Sequence, residues 1–266
     1  MKIVKLAGGL GNQMFIYAFG LALSKKYKRV YFDIKNYKSD KLRQYELGLF
    51  PNIKIKIRNR PKLIPFHKTN EKNPFSFNPD FFNAHLNEYW SGYFQNEKYF
   101  KNIESDIRDA FQFPKINDEF NTDWANEIQN SENSVFIHIR RGDYESLDGW
   151  LLGMDYYQRA VKYILSHIKN PTFFVFSDAP ADYIKNKFDI GCEYKYIGTH
   201  NNDTNQSFRD MQLMFLCRHA IIANSSFSWW GAYLQRNKNH IVCAPSPWLN
   251  MQDEIICDDW IKIPHK

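Results

Sequence analysis

The sequence predicts an α/β protein built from two Rossmann-like domains facing a cleft. Two observations carry this. Strand-like and helix-like segments alternate in two successive series along 266 residues, a length that suits two domains of roughly 130 residues each. Each series also opens with a short apolar strand running into a turn of the kind that meets ligands. In the first that turn is Gly8-Gly9, and in the second it is Arg140-Arg141-Gly142. The junction is expected near residue 130, giving domains 1–130 and 131–266.

In the first series, residues 2–6 form a strand. Residues 12–26 carry Phe15, Ala18, Phe19, Ala22 and Leu23 at helical spacing. Residues 29–33 form a second strand, completing a βαβ unit. Between 51 and 79 the chain is irregular and rich in Pro, Asn and Lys. Within it Ile53, Ile55 and Ile57 alternate with Lys54, Lys56 and Arg58, which predicts a strand with one apolar and one basic face. A helix is expected over 98–111 and a polar connection over 117–133. The second series begins with a strand at 135–140. Asp155 then caps a helix over 156–168, and a strand follows at 172–177. Further on come a helix at 210–218, a strand at 220–223, a short helix at 228–235 and a strand at 240–244.

Composition excludes some classes. With 44% hydrophobic and 24% charged residues the chain packs a core and is not disordered. Its 17% aromatic content supplies core material and can also line sugar or base pockets. The formal charge of +6 suits an anionic ligand. Nucleic acid is not expected as a partner, because no RRM, KH or zinc-finger pattern occurs. Cys192, Cys217, Cys243 and Cys257 are widely spaced, which reads as free thiols in a reducing compartment. There is no secretory segment and no apolar run of about 18 residues. A cytoplasmic protein is expected, with the basic face a solvated surface and peripheral contact to an anionic inner-membrane surface as the alternative. Nothing in the sequence sets its oligomeric state.

The strongest chemical signal is His138-Ile139-Arg140-Arg141-Gly142-Asp143-Tyr144. In a strand, alternate side chains share a face, so His138 and Arg140 point together and away from Ile137 and Ile139. Arg140 ends the strand on the side where open α/β sheets bind ligands. A guanidinium there can fork two N–H donors onto phosphate oxygens. Arg141 and Asp143 are expected to pair and tie down the loop. A second anion site is the turn at Ser225 and Ser226, which joins a strand to a helix N-terminus; a plain helix cap is the alternative. Asp210 opens a helix, where the macrodipole favours an acidic residue, or its carboxylate accepts from a pair of N–H donors on a ligand.

These motifs resemble the α1,2-fucosyltransferases, especially the short bacterial ones. His-x-Arg-Arg-x-Asp is similar to the signature those enzymes share with α1,6- and protein O-fucosyltransferases. Gly8-Gly9-Leu10-Gly11-Asn12-Gln13-Met14-Phe15 is similar to their N-terminal run. The stretch 89–100 (YWSGYFQNEKYF) is similar to their Gly-Tyr-aromatic-Gln block, and 224–231 (NSSFSWWG) to their C-terminal block. The four blocks span nearly the whole chain in the family's order.

The resemblance implies a GT-B type glycosyltransferase. It would move L-fucose from GDP-β-L-fucose, with inversion, to the 2-hydroxyl of an oligosaccharide or glycolipid acceptor, a terminal β-galactose. The product would belong to surface polysaccharide biosynthesis. The donor would be held by the C-terminal domain, with the C-terminal tail crossing back, and the acceptor mainly by the N-terminal domain. His138, Arg140 and Asp143 are then the catalytic candidates. Donor contacts are expected from His138, Arg140, Asp210, Ser225, Ser226, Phe227, Asn12, Gly11 and Ser177. Gln13, Tyr93, Gln95 and Asp148 are expected on the acceptor side. No cofactor and no metal are expected, since no Asp-x-Asp follows a strand, and protein groups must then stabilise the leaving diphosphate. The general base is left between Asp143 and Asp148, and a loose transition state would need little base assistance. The alternatives are α1,6- or protein O-fucosylation on the same fold, or a non-catalytic sugar-nucleotide-binding module.

Overall fold

In the computed structural model, which describes residues 1–237, 239–249 and 251–265, the chain divides into two units, Met1–Pro114 and Lys115–Lys266. The first unit is built on β1 (Lys2–Lys5), α1 (Leu10–Lys26), β2 (Val30–Asp33), β3 (His67–Asn70), β4 (Glu88–Ser91) and α2 (Glu104–Ala110). Its sheet has the order β2-β1-β4-β3, and all neighbours run parallel.

Helix α1 is apolar around most of its circumference, with Met14, Phe15, Ile16, Phe19 and Leu23 fully buried. Such a helix is enclosed rather than laid on a surface. Phe19 stacks on Phe94 at 4.0 Å between centroids and meets Tyr99 edge-on at 5.3 Å. Gly20 lets Phe32 close against the helix, since a Cβ there would lie 2.4 Å from the ring. Much of the aromatic content is therefore core.

Three sequence expectations in this unit are corrected. Residues 53–58 do not form a strand: Phe32 and Ile57 make a single isolated bridge, and Ile57 is half exposed. Alternation prepared a face, but the segment reaches the sheet only where Phe32 N–H donates to the Lys56 carbonyl and Arg58 N–H to the Phe32 carbonyl, both at 2.9 Å. The helix expected over 98–111 is broken. Two short 3-10 turns, Glu97–Tyr99 and Lys101–Ile103, precede the seven-residue α2. The irregular middle contributes β3, whose His-Lys-Thr-Asn sequence carries no apolar alternation, because an edge strand packs little side-chain surface.

The second unit contains α3 (Glu119–Asn130), β5 (Ser134–Ile139), α4 (Met154–His167), β6 (Thr172–Ser177), α5 (Ala181–Lys187), β7 (Lys195–Tyr196), α6 (His200–Asp203), α7 (Phe208–Leu216), β8 (His219–Ile221), α8 (Ser226–Tyr233), β9 (Val242–Ser246) and β10 (Ile261–Pro264). Its six parallel strands have the order β10-β9-β8-β5-β6-β7. This is the doubly wound order, with winding reversing between β5 and β8. Every residue of β5 is buried. Val135, Ile137 and Ile139 pack with Tyr156, Ala160 and Ile164 of α4. On the other face Phe136 lies under Gly231 of α8, where an added Cβ would also sit 3.1 Å from Met214.

The division between the units precedes the junction expected near residue 130. The segment expected as a polar connection is α3, capped by Asp118, whose side chain accepts from Asn121 N–H at 2.9 Å. Ala125 and Ile128 are buried on its inner face, so few apolar residues sufficed to make it amphipathic. Asp155 does not cap α4. Gly153 is the cap residue, and Asp155 sits in the first turn paired with Arg159. Near the C-terminus, β10 completes the sheet of the second unit beside β9. Among the described residues no helix is long and apolar enough to cross a membrane.

Candidate functional site

In open parallel sheets ligands bind beyond the carboxyl ends of the strands, where the winding reverses. In the second unit that place lies between the ends of β5 and β8, and the sequence delivers Arg140–Tyr144 to one side and Asn224–Phe227 to the other. Arg140 follows β5 directly. Its Nη2 donates to Asp143 Oδ1 at 2.5 Å and its Nη1 pairs with Asp178 Oδ2 at 2.7 Å. The guanidinium also lies 5.4 Å from the Tyr144 ring centroid.

The expected Arg141–Asp143 pair is not formed. The 3-10 turn over Gly142–Ser146 places Asp143 under Arg140, whereas Arg141 reaches Glu145 at 2.9 Å and lies 4.1 Å from the Tyr183 ring centroid.

Asp178, beyond the end of β6, holds this turn together. Besides Arg140 it accepts from Arg141 N–H at 2.7 Å. Gly142 presses against it so closely that a Cβ would meet Asp178 Oδ2 at 2.5 Å. Ser177, expected as a donor contact, is committed to backbone instead. Its hydroxyl donates to the Ile139 carbonyl at 3.1 Å and accepts from Ala179 N–H at 2.9 Å. Asp178 was not among the predicted site residues, although its place at a strand's carboxyl end was the available signal.

Tyr144 ties the two sides together. Its hydroxyl donates to the Asn224 carbonyl at 3.1 Å, and its ring meets Trp150 edge-on at 5.0 Å. Burial first, with the opposing charges of Arg140 and Asp143 nearby, pushes its phenol up to about 12, so it stays a donor at neutral pH. Tyr144 was missed as a site residue although it closes the most informative motif. Ser225 caps α8, its hydroxyl accepting from Phe227 N–H at 3.3 Å, as the plain-cap alternative requires. Ser225 is buried and Ser226 half-buried at the same helix start.

His138 is buried on the Phe136 face, with its ring 5.8 Å from that of Phe227. Its Nδ1 is buried without a hydrogen-bond partner among the described residues. Desolvation, and then the charge of Arg140, push its pKa down to about 3, so the imidazole is neutral at physiological pH. It can exchange a hydrogen bond with a ligand but is a poor proton acceptor. Asp148 sits exposed in the turn that follows Ser146.

Asp210 lies in the first turn of α7 and is buried. Asn201 Nδ2 donates to its Oδ1 at 2.7 Å, and Asn201 in turn exchanges side-chain hydrogen bonds with Asn121 of α3 at 2.9 and 3.0 Å. Burial raises its pKa to about 7 despite the Asn201 bond. This network joins α3, α6 and α7, a structural duty the sequence did not announce.

In the first unit the winding reverses between β1 and β4, and the Gly8–Gln13 and Gly92–Gln95 segments follow those strands. Gly8 has φ +77°, and a Cβ on it would lie 2.6 Å from Asn12 Nδ2. Asn12 Oδ1 accepts from Gln95 Nε2 at 2.6 Å, so residues from two predicted motifs meet. Gly9 caps α1 without a side-chain hydrogen bond, and Gly11 is buried in the first turn. Gln13 is fully buried and spent on backbone: Nε2 donates to the Gly8 and Gln44 carbonyls at 3.0 and 2.8 Å, and Oε1 accepts from Glu46 N–H at 2.9 Å. It braces the loop, which leaves Tyr93 as the more accessible acceptor-side candidate, at 38% exposed.

Glu71, just after β3, was not legible because β3 was not. Its carboxylate accepts from Tyr93 N–H at 2.6 Å and from Phe94 N–H at 3.0 Å, and this holds Phe94 at φ +52°. Gly92 allows the approach, since a Cβ there would meet the Glu71 side chain at 2.4 Å. Burial pushes the Glu71 carboxyl up to about 7, against the two backbone hydrogen bonds that favour its charged form.

With this geometry in place, comparison with known proteins is informative. The model of glycosyl transferase family 11 matches residues 1–263. An α-1,2-colitosyltransferase of Escherichia coli is 32% identical, with 98% of each chain covered. The O-antigen biosynthesis glycosyltransferase WbnK of Escherichia coli is 29% identical over 97% of this chain and 99% of its own. Among solved structures, NodZ α-1,6-fucosyltransferase soaked with GDP-fucose superposes with a TM-score of 0.52 at 12% identity, covering 88% of this chain and 92% of that one. That likeness concerns the fold, which is the GT-B type that the sequence predicted.

Proposed function

Since the chain belongs to glycosyl transferase family 11 and is a fucosyl-type glycosyltransferase, we propose that it transfers L-fucose from GDP-β-L-fucose to the 2-hydroxyl of a terminal β-galactose, with inversion and without a metal. The observation that carries this reading is the cluster beyond β5 and β8. There Arg140, Tyr144 and the Ser225-capped start of α8 surround one point of the second unit. As the bond from fucose C1 to the diphosphate oxygen breaks, negative charge grows on the departing GDP. Arg140 and the N–H groups at the start of α8 are the groups suited to receive it.

Asp143 and Asp178 orient the guanidinium, much as a carboxylate orients a catalytic imidazole. His138, being neutral, serves as a hydrogen-bonding contact to the nucleoside. We assign the donor to the second unit and the acceptor to the first, at Tyr93 and Gln95. Asp143 is paired with Arg140, so the acceptor proton leaves either to Asp148 or, from a loose transition state, to solvent. The reaction belongs in the bacterial cytoplasm, on a polysaccharide or glycolipid sugar built before export, and fractionation of the native protein checks that location.

A second reading keeps the site and changes the sugar. The relative that is 32% identical is named for colitosyl transfer, which favours a colitose donor. Purified protein should be given GDP-fucose, GDP-colitose, UDP-galactose and CMP-sialic acid with a β-galactoside array, with and without EDTA. The proposal expects product from GDP-fucose at an undiminished rate in EDTA, with an α1,2 linkage by NMR. Turnover of GDP-colitose alone selects the second reading. Activity abolished by chelator and restored by Mg²⁺ or Mn²⁺ refutes the metal-free mechanism.

A further inference from the structure

At the amino ends of β3 and β4, at the opposite end of the strands from the Gly92–Gln95 segment, two imidazoles converge on one buried carboxylate. His67 and Glu88 are register partners at the start of their strands. His67 Nδ1 lies 2.7 Å from Glu88 Oε1, and His85 Nδ1, from the turn leading into β4, lies 2.8 Å from Glu88 Oε2. The rings stand 3.9 Å apart between centroids, tilted by 33°. Glu88 is 1% exposed, whereas the side chains of His67 and His85 are 52% and 63% exposed. The carboxylate is therefore the floor of a shallow, solvent-facing notch, and the imidazoles are its walls.

The arrangement is held in place. Thr69, on the same face of β3 as His67, donates its hydroxyl to Glu88 Oε1 at 2.7 Å. His85 N–H donates to Oε2 at 3.0 Å. The Lys2 ammonium donates to the carbonyls of His85 and Leu86, bracing the turn. The three potential ligand atoms all lie within 4.8 Å of one another.

We propose that His67, His85 and Glu88 form a binding site for a late first-row divalent cation of the Zn²⁺ class. Two imidazole nitrogens and a carboxylate are a donor set that Zn²⁺ favours. An ion with bonds of about 2.0–2.2 Å would span the present nitrogen–oxygen separations with small movements, at a ligand–metal–ligand angle of about 80° to a bidentate carboxylate. It would replace the direct contacts between each Nδ1 and the carboxylate, and its remaining positions would face water. Because the notch lies at the amino ends of the first unit's strands, whereas Gly8–Gln13 and Gly92–Gln95 follow their carboxyl ends, this ion is structural. The inference stands independently of the proposed sugar transfer.

The test uses tag-free full-length protein, stripped with chelator, dialysed and titrated with ZnCl₂ by calorimetry near pH 7.5. Co²⁺ absorption serves as a second probe of coordination. The expected result is saturable binding of one equivalent, a higher Tm with Zn²⁺, and affinity weakened at least about tenfold in His67→Ala and in His85→Ala. Both positions are exposed, so both variants should fold, and circular dichroism checks this. The control His167→Ala, on the surface of α4, should bind as the unaltered protein does. Absence of saturable binding overturns the proposal. So does equal affinity in the His67→Ala/His85→Ala double variant, which would move the ion to other ligands.

Discussion

Arg140 is the most informative residue to perturb, because its two carboxylate partners make separable demands. In Arg140→Lys a single ammonium replaces a planar fork whose two nitrogens reach Asp143 at 2.5 Å and Asp178 at 2.7 Å. The charge survives, but the directed pair of donors does not. Loss of one preorganised group that meets transition-state charge costs roughly 2.7–4 kcal/mol, a fall in kcat on the order of 10²–10³.

Arg140→Ala should be at least as damaging to turnover and should also unsettle the turn. Asp178 keeps its bond from Arg141 N–H at 2.7 Å but loses its ion pair with Arg140, while Asp143 is exposed enough to be resolvated. With both carboxylates partly open to solvent, the stability cost is about 1–2 kcal/mol, a few degrees of Tm for a domain of this size. Arg141→Ala should cost less, because it gives up one ion pair, with the half-exposed Glu145, and its contact with the Tyr183 ring. Steady-state kinetics with GDP-fucose, GDP affinity by calorimetry and Tm should be measured on all three variants. Near-normal kcat in folded Arg140→Ala would refute the assignment. A collapse confined to Arg141→Ala would transfer the role to that residue.

Gly142→Ala should push the loop off Asp178, since the new Cβ would lie 2.5 Å from its carboxylate; kcat should fall by tenfold or more, on the order of the loss expected from a small misplacement, with little change in Tm. Asp210 has a folded pKa near 7, raised from its ordinary value by burial, so its stabilising contribution is full below about pH 4 and is lost as pH rises through about 7. Asp210→Asn keeps an acceptor for Asn201 and should raise Tm at pH 8 while changing it little at pH 4; an unchanged Tm difference across that range would show that Asp210 is not a buried titrating group. If Asp210 also reads guanine, the same variant should weaken GDP binding, which calorimetry separates from stability. Glu71→Gln places an amide against two backbone N–H donors and should loosen Phe94 from its positive φ, raising the acceptor KM more than it lowers kcat; an unaltered acceptor KM would remove Tyr93 from the acceptor side.

What the sequence determined by itself is the material that repeats or alternates. The continuous apolar run of β5 and the helical spacing of α1 and α4 are local properties, and strands, helices and the α/β class followed from them. The four motif blocks named the family because they preserve residue types in order. Edge strands and broken helices were not legible, since β3 and the 97–110 segment are held by neighbours rather than by their own pattern. The site shows the same division. Sequence placed His138 and Arg140 on one face at a strand's carboxyl end, because alternation dictates it. Only tertiary structure decided which carboxylate meets which arginine: Asp178 arrives from a neighbouring strand, and the 3-10 turn brings Asp143 to Arg140 rather than to Arg141. Glu71 reaching Tyr93, Asn201 reaching Asp210, and two histidines converging on Glu88 are likewise meetings between separate segments. Side-chain type and local period are written in one dimension, whereas partnership depends on strand order and register, and these the fold alone supplies.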